Sequence, residues 1–271
     1  MRCLLVIIAT IFALASAEGK SSFTYPSETT NTNSLVRIVG GQQASPNQFP
    51  YQVALYIKYK MTEIFCGGSL VSANYVLTAA HCAEGAISID IILGAYNVSD
   101  TSENTQQHQT STTYKVHPEW DSSALINDLA LIKLSTPAKI NSSVQIIALP
   151  KGNDSYAGST GVITGWGKTT DAQNTVTDIL RYATNNIYSN SECKSVDSDY
   201  SGIIKNTHLC LSGEGQTSIC KGDSGGPLVS GSTQIGISSF SYKSCEASKP
   251  SVFTRISEFK EWIKNNSDVE I

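Results

Sequence analysis

The sequence predicts an all-β protein with one C-terminal helix, and two observations carry this prediction. Short segments rich in Val, Ile, Tyr and Thr are separated by turn residues along most of the chain. A convincing helical period occurs near the C-terminus and not before it. With 40% apolar residues among 271, the chain can bury a substantial core. We expect the strands to close into barrels, because closure leaves no exposed sheet edge.

Six segments are predicted strands: 52–57, 75–80, 87–93, 129–134, 162–166 and 234–240. In the third of them, isoleucines alternate with polar residues, which is the period of a strand with one buried face. A helix is predicted over 257–265, because Ile256, Phe259 and Ile263 recur at helical spacing and Ser257 can cap its start.

The first 17 residues predict a secretory signal peptide. Arg2 precedes the apolar run 3–15, and the segment ends in Ala15-Ser16-Ala17, a small-x-small cleavage pattern. A membrane anchor is the alternative, but the run is shorter than the ~20 apolar residues of a bilayer span. We therefore expect a secreted, extracellular protein with no membrane contact. The 19 basic and 23 acidic residues form no Lys/Arg-rich run, so we expect no nucleic-acid partner. We also expect the protein to be a monomer.

Export gives the cysteines a structural meaning. Of seven cysteines, Cys3 leaves with the signal peptide, and an even number remains: Cys66, Cys82, Cys193, Cys210, Cys220 and Cys245. In an oxidising compartment these predict three disulfides. Zinc binding is the alternative, and the absence of a C-x-x-C pair disfavours it. Six cysteines allow 15 pairings, so the residues alone leave the connectivity open.

Residues 18–37 differ in composition from the rest of the chain. They are rich in Ser, Thr and Asn, show no period and end at Arg37, directly before Ile38-Val39-Gly40-Gly41. A single Arg before an apolar pair and two flexible glycines is a plausible processing point. We expect an activation propeptide over 18–37.

Three segments contain residues suited to nucleophilic catalysis. Ser224 lies in a glycine-rich loop, His81 follows a predicted strand and precedes Cys82, and Asp128 stands at the start of an apolar run. A serine hydroxyl needs a base to take its proton, neutral imidazole suits that task near pH 7, and a carboxylate orients the ring. Each residue also has an ordinary interpretation, as a turn serine, a core histidine and a strand-start aspartate. The other histidines lie in polar contexts, and His117 is expected in a surface turn.

Together, these segments resemble the chymotrypsin/trypsin family of secreted serine endopeptidases from Ile38 to about Ile263. The matching motifs occur in the family's order: 38–41 (IVGG), 66–70 (CGGSL), 78–82 (TAAHC), 127–131 (NDLAL), 165–167 (GWG) and 222–227 (GDSGGP). The resemblance implies two six-stranded antiparallel β-barrels with the site between them. It implies an N-terminal barrel over about 38–149 and a C-terminal barrel over about 150–255, within a peptidase domain of 38–271.

The resemblance also implies roles for individual residues. His81 is the general base and then acid, Asp128 orients it, and Ser224 attacks the scissile carbonyl. The N–H groups of Gly222 and Ser224 form the oxyanion hole. The implied disulfides are Cys66–Cys82, Cys193–Cys210 and Cys220–Cys245.

Activation follows from the same resemblance. Cleavage between Arg37 and Ile38 by a trypsin-like protease frees an α-amino group, which pairs with Asp223 and completes the oxyanion hole. The implied partners are protein or peptide substrates, this activating protease and protein protease inhibitors. No cofactor is implied.

Several positions depart from the family pattern. Ile64 stands where many relatives keep a histidine that helps hold the precursor inactive. Ala95 stands at the first calcium-ligand position, so we expect no metal site. Phe240 replaces a tryptophan in the substrate-binding segment Ser239-Phe240-Ser241. Four N-x-S sequons make glycosylation a prediction at Asn97, Asn141, Asn153 and Asn265.

The primary specificity pocket is expected to be uncharged. By the resemblance, its base is Ser218, where trypsin-like members keep an aspartate, and its walls carry Ser241 and Ser251. Lys221 is expected at the rim. Because a buried cation would lack a partner, we expect cleavage after Leu, Phe, Tyr or Met, with smaller apolar residues second and Arg or Lys rejected. The enzyme should then be unable to cut its own Arg37–Ile38 bond.

A different function class also fits this fold. Some relatives are inactive proteins that act by binding, usually after losing the catalytic serine or histidine. Here all three residues and their flanking motifs are present, which favours an enzyme.

Overall fold

Two antiparallel sheets contain most of the regular structure. The computed structural model describes residues 39–242 and 244–271, so the expected signal peptide, the segment 18–37 and Ile38 lie outside the described residues. The strands are β1 Gln42–Gln43, β2 Gln52–Lys58, β3 Glu63–Leu70, β4 Tyr75–Thr78, β5 Ser88–Leu93, β6 Gln107–Ser111, β7 Tyr114–Val116, β8 Ala130–Lys133, β9 Thr160–Gly165, β10 Arg181–Tyr188, β11 His208–Leu211, β12 Pro227–Ser230, β13 Thr233–Phe240 and β14 Ser251–Arg255. The α-helices are α1 Ala80–Ala83, α2 Asn190–Val196, α3 Ser198–Ile203 and α4 Lys260–Asn266.

The first barrel has the strand order β6-β5-β2-β3-β4-β8-β7. Its two outer strands, β6 and β7, are separated in sequence by Thr112 and Thr113 alone, so one continuous segment pairs with β5 at one end and with β8 at the other. This segment closes the sheet and acts as the sixth strand. Inward-facing side chains of β2 and β5, such as Leu55, Ile89 and Ile91, are fully buried in its core.

The second barrel has the order β1-β10-β11-β14-β13-β12-β9, and β9 also pairs with β10. That pairing closes a ring of six strands, which confirms the expected pair of six-stranded barrels. The short strand β1 is an addition outside the ring, where Gln42 pairs with Tyr182. Residues at the start of the described chain therefore belong to the second sheet and not to the first, because β1 crosses over to β10.

The C-terminal helix begins later than the sequence predicts. A 3₁₀ turn spans Ile256–Phe259, and α4 follows it. The expected capping by Ser257 is wrong, because this residue is buried inside the 3₁₀ turn and neither helical segment has a side-chain cap. The apolar face is as predicted. His117 is not a free surface residue, since its ring packs 5.2–5.3 Å from those of Phe259 and Trp262.

Three short helices escape the sequence analysis, and two of them have a side-chain cap. Helix α2 begins with a capping box between Ser189 and Glu192, and α3 is capped by Asp197. Helix α1 is a single turn that carries His81. Within 39–242 and 244–271, no helix is long and apolar enough to cross a membrane.

Candidate active site

His81 and Asp128 lie in contact where the two barrels meet. The distance from His81 Nδ1 to Asp128 Oδ2 is 2.7 Å, and the backbone N–H of His81 donates to Asp128 Oδ1 at 2.9 Å. Helix α1 places the histidine directly after β4, and Asp128 lies just before β8, which pairs with β4. The two residues are 47 positions apart in sequence, so strand pairing brings them together.

The environment of Asp128 keeps it ionised. Its side chain is 1% exposed, and Ser239 Oγ donates to Oδ2 at 2.5 Å. Burial alone raises the pKa of Asp128, but hydrogen bonds from His81 and Ser239 and the charge of His81 outweigh it and hold the pKa below its ordinary value. An ionised carboxylate can only accept, so in the neutral imidazole the His81 hydrogen lies on Nδ1 and Nε2 is free to accept a proton.

The loop that carries Ser224 lies against the His81 segment. Gly67 N donates to Ser224 O at 2.7 Å, and Gly67 follows Cys66, which is disulfide-bonded to Cys82. Gly225 has φ +77°, and a Cβ there would lie 2.1 Å from Thr78 Oγ1, so the close approach requires glycine. Among the described residues, Ser224 Oγ makes no hydrogen bond to His81, and catalytic hydrogen bonds of this kind often tighten only when substrate binds.

Two backbone N–H groups in this loop lack an acceptor in the part of the chain that the structure describes. Asp223 N donates to Cys220 O and Gly225 N to Ser238 O, whereas within the described residues the N–H groups of Gly222 and Ser224 have no acceptor. Unpaired donors on either side of one residue can together stabilise a developing oxyanion. They are the two donors expected from the sequence.

Asp223 is a buried carboxylate beside this loop. It is 2% exposed, and its oxygens accept from Gly167 N at 2.9 Å and Cys220 N at 3.0 Å. Burial raises the pKa of Asp223 to about 7 against the opposing effect of these two N–H groups. A Cβ on Gly167 would lie 2.3 Å from the carboxylate, which explains a glycine in the Gly165-Trp166-Gly167 motif.

Ser218 and Ser251 form an uncharged, fully bonded pair. Their Oγ atoms are 3.2 Å apart, Ser218 Oγ donates to Ile219 O, and Ser251 Oγ accepts from Ile219 N. Because the Ser218 hydrogen is used on Ile219 O, the hydrogen between the two hydroxyls comes from Ser251. Both serines are buried, and neither brings a negative charge to this position.

The other expected substrate-binding residues are more exposed. Phe240 and Ser241 line a cavity of about 300 Å³ together with Leu125, Tyr200 and Tyr242. Lys221 is exposed, and its charge helps to lower the pKa of the nearby Asp171 carboxyl, an effect smaller than the hydrogen bonds from Ser244 and Cys245. Sequence reasoning assigned Ser239 to substrate binding and missed its bond to Asp128, which spans 111 positions.

Three disulfides join the six cysteines of the described residues. They join Cys66 to Cys82, Cys193 to Cys210 and Cys220 to Cys245, the pairs implied by the resemblance. The first joins the residue directly after His81 to β3, and the third joins the segment before Ser224 to the loop that leads into β14. Cysteines that approach His81 and Asp171 closely enough to share a metal are thus already bonded.

The segment after β5 is held together by hydrogen bonds. Glu103 accepts from the N–H groups of Tyr96 and Asn97 and from Gln106 Nε2 at 2.8 Å. Gln106 Nε2 also donates to Asn97 O at 2.9 Å. Ala95, which has no ligand atom in its side chain, is buried beside them. Hydrogen-bond donors therefore already surround the Glu103 carboxylate.

The four sequons differ in exposure. Asn141, Asn153 and Asn265 are exposed, and Asn97 is half-buried. Asn141 Oδ1 accepts from two backbone N–H groups, and Asn153 Oδ1 accepts from Lys260 Nζ. Glycosylation at these positions stays a prediction.

Two closed barrels with a serine, a histidine and a buried aspartate at their junction define the class of serine endopeptidases. A sequence profile described as Trypsin matches residues 38–263. Brachyurin of Leptuca pugilator is 38% identical over 233 residues, covering 86% of this chain and 99% of the relative, and chymotrypsin of Phaedon cochleariae is 37% identical over 265 residues, covering 97% and 94%. A solved structure titled "HL collagenase structure at 1.7A resolution" superposes with a TM-score of 0.78 at 32% identity, covering 86% of this chain and 100% of that one. The chain belongs to the chymotrypsin/trypsin family of serine endopeptidases and acts on protein or peptide substrates.

Proposed function

We propose that this serine endopeptidase hydrolyses peptide bonds through Ser224, His81 and Asp128. The observation that carries the proposal is the 2.7 Å contact between His81 Nδ1 and the buried, ionised Asp128. In the neutral ring this contact places the hydrogen on Nδ1, so that Nε2 can accept the proton of Ser224, and it favours one ring orientation.

The reaction divides into two acyl transfers. His81 Nε2 takes the proton of Ser224 Oγ as Oγ bonds to the scissile carbonyl carbon, and the N–H groups of Gly222 and Ser224 stabilise the resulting oxyanion. His81 then gives the proton to the departing amine, the C–N bond breaks, and an acyl-enzyme remains. Water, deprotonated by His81, releases the acid product and restores Ser224.

The protein is exported by residues 1–17 and is held inactive until the Arg37–Ile38 bond is cut, which leaves 38–271 as the peptidase domain. The support is Asp223, a buried carboxylate whose hydrogen-bond partners among the described residues are backbone N–H groups. A buried carboxylate is stabilised by a cation. The ammonium of Ile38, formed by the cut, supplies that cation and places Gly222 N for catalysis.

The activating protease is trypsin-like, because it must cut after Arg37. The enzyme itself prefers Leu, Phe, Tyr or Met before the cut bond, with smaller apolar residues second. The hydroxyl pair of Ser218 and Ser251 supports this preference, because it offers no charge to Arg or Lys. The mature enzyme is a secreted monomer that protein protease inhibitors can block.

The test begins with the secreted full-length chain. Treatment with immobilised trypsin, followed by its removal, should yield activity and a new N-terminus reading Ile-Val-Gly-Gly, and a serine-directed covalent probe should then label Ser224. Full activity with any other N-terminus contradicts the activation scheme. A peptide library should show cuts after apolar and aromatic residues. Efficient hydrolysis of an Arg substrate by trypsin-free enzyme contradicts the pocket assignment, and the Ser224→Ala protein carried through the same steps is the control.

A further inference from the structure

His208 is a buried histidine that the proposed reaction does not use. It begins β11 in the second barrel and is 1% exposed. Its Nδ1 accepts from Lys205 N at 3.0 Å, and its Nε2 lies 2.8 Å from Leu125 O. Because Nδ1 accepts, it carries no hydrogen, so Nε2–H donates to Leu125 O. Both contacts are satisfied at once only by the neutral ring.

The segment that His208 holds is conformationally unfavourable. Leu125 has φ +56° and Asn127 has φ +59°, both in the left-handed region. A leucine rarely adopts this region because its Cβ crowds the backbone, so the conformation needs support from its surroundings. The segment leads directly into Asp128. The hydrogen bond from His208 to the Leu125 carbonyl crosses 83 positions of sequence and supplies such support.

His208 also contacts a second wall of the same cavity. Its ring packs edge-on against Phe240, with centroids 5.8 Å apart and planes at 86°. Leu125 and Phe240 both line the cavity of about 300 Å³, whose lining is otherwise completed by Asp199, Tyr200, Ile203, Ser241 and Tyr242. The lining is mainly aromatic and aliphatic. The cavity lies beside the candidate site, because Phe240 follows Ser239 and Leu125 precedes Asp128 by three residues.

The backbone of His208 is rigidly held. Arg255 Nη2 donates to His208 O at 2.9 Å, and β11 pairs His208 with Thr254 of β14. Thr254 Oγ1 in turn donates to Asp128 O at 2.8 Å. His208 is therefore a fixed support from which the segment ahead of Asp128 is positioned.

We propose that neutral His208 is a positioning residue that holds Leu125 and Phe240 apart at the spacing of this cavity, and so sets the affinity for peptide substrates whose apolar side chains precede the cleaved residue. The proposal rests on the proposed peptidase function. It concerns substrate binding, and the reacting groups are untouched by it.

Protonation of His208 breaks the arrangement. A hydrogen on Nδ1 would face the N–H of Lys205, so that bond is lost. Burial lowers the pKa of His208, while the hydrogen bond to Leu125 and the charge of Asp128 oppose this effect and the charges of Lys205 and Arg255 add to it. The neutral form therefore persists below the ordinary histidine range, and cavity binding weakens only at more acid pH.

The test compares two substrates in the activated enzyme. One is a tetrapeptide anilide with apolar residues before the cleaved Phe, and the other is a single-residue Phe ester. In His208→Phe, which keeps a ring but removes both hydrogen bonds, we expect KM for the tetrapeptide to rise about 10-fold, with kcat and ester hydrolysis within twofold of wild type. In His208→Gln, whose amide can still donate to Leu125 O and does not titrate, tetrapeptide KM should stay near the wild-type value at pH 8. His108→Gln, at an exposed histidine, is the matched control.

The pH profile separates positioning from general stability. Both substrates use the same catalytic groups, so the ratio of tetrapeptide to ester kcat/KM isolates the cavity. This ratio should fall with acid in wild type and His108→Gln, and stay flat in His208→Gln. An unchanged tetrapeptide KM in His208→Phe, or a wild-type ratio constant down to pH 5, overturns the proposal. If His208→Phe does not fold, the wild-type and His208→Gln ratios still decide it. Absence of ester hydrolysis by wild type instead contradicts the peptidase function itself.

Discussion

Ser239 Oγ donates a 2.5 Å hydrogen bond to Asp128 Oδ2, the same oxygen that faces His81 Nδ1. Asp128 precedes a strand of the first barrel, and Ser239 lies on β13 of the second. This bond therefore ties the candidate site across the junction of the barrels. It also adds a donor to a buried carboxylate, which helps to keep that carboxylate ionised.

Replacing Ser239 with Ala should lower kcat/KM by about 10-fold or more. A hydrogen bond to a charged group contributes roughly 1.5–3 kcal/mol, and its loss leaves Asp128 less well stabilised and His81 less firmly oriented. Ser238→Ala, which removes a hydroxyl from the same strand that makes no hydrogen bond to Asp128, is the matched control and should stay near wild type. Equal losses in both variants would show that packing of β13, and not the hydrogen bond, is responsible.

Ser224→Ala and His81→Ala should each lower kcat by about 10⁶-fold, because nucleophile and base act as one unit. Asp128→Asn should cost about 10⁴-fold, the loss known for this family when the histidine is held in the wrong tautomer. Single-turnover and steady-state rates measure these losses, and circular dichroism checks that each variant is folded. A Ser224→Ala protein with a tenth of wild-type activity excludes the assignment.

The uncleaved precursor should lose stability as pH rises from about 4 to about 7. Burial raises the pKa of Asp223 to about 7, above its unfolded value of ~3.9, so the folded state binds this proton more tightly. The contribution of protonated Asp223 to the free energy of unfolding is fully present below the unfolded pKa. It disappears as the pH rises through the folded pKa, and its upper limit is roughly 4 kcal/mol. Thermal melts of Arg37→Gln precursor at pH 4.5 and 7.5 measure it.

The Asp223→Asn precursor is the control for that measurement and should lack this pH dependence. In the cleaved enzyme, the Ile38 ammonium should stabilise the ionised Asp223 carboxylate, so stability should no longer fall as the pH rises from about 4 to about 7. Identical pH dependence in precursor and cleaved enzyme contradicts the pairing of Ile38 with Asp223.

Ser218→Asp should shift specificity toward basic residues. A carboxylate in place of the Ser218 hydroxyl gives Arg or Lys a partner, while apolar substrates leave it buried without one. We expect the ratio of kcat/KM for Arg over Phe substrates to rise on the order of 10- to 100-fold, from charge-assisted hydrogen bonds of roughly 1.5–3 kcal/mol. Ser218→Asn has similar shape without charge. An equal rise in that control would show that size, and not charge, sets the selectivity.

The strands that could be predicted are those rich in Val, Ile, Tyr and Thr. Strands β2, β5 and β13 fall close to their predicted ranges, whereas β6 (QHQTS) and β3, with Gly67 and Gly68 at its centre, carry no strand signal. Their positions come from pairing: β3 lies between β2 and β4, and β6 pairs along β5. Backbone hydrogen bonds to a neighbouring strand can hold a segment whose own residues have weak preference for it.

The sequence by itself determined the candidates for the chemistry, because Ser224, His81 and Asp128 each lie in a short motif whose neighbours are adjacent in the chain. It also predicted an uncharged pocket base at Ser218 and a processing point before Ile38. The tertiary structure decided what these residues touch. The bonds of Asp128 to His81 and Ser239, of Ser218 to Ser251, and of His208 to Leu125 cross 47, 111, 33 and 83 positions. Contacts at such separations depend on how both barrels close and pack, which no local pattern of residues encodes.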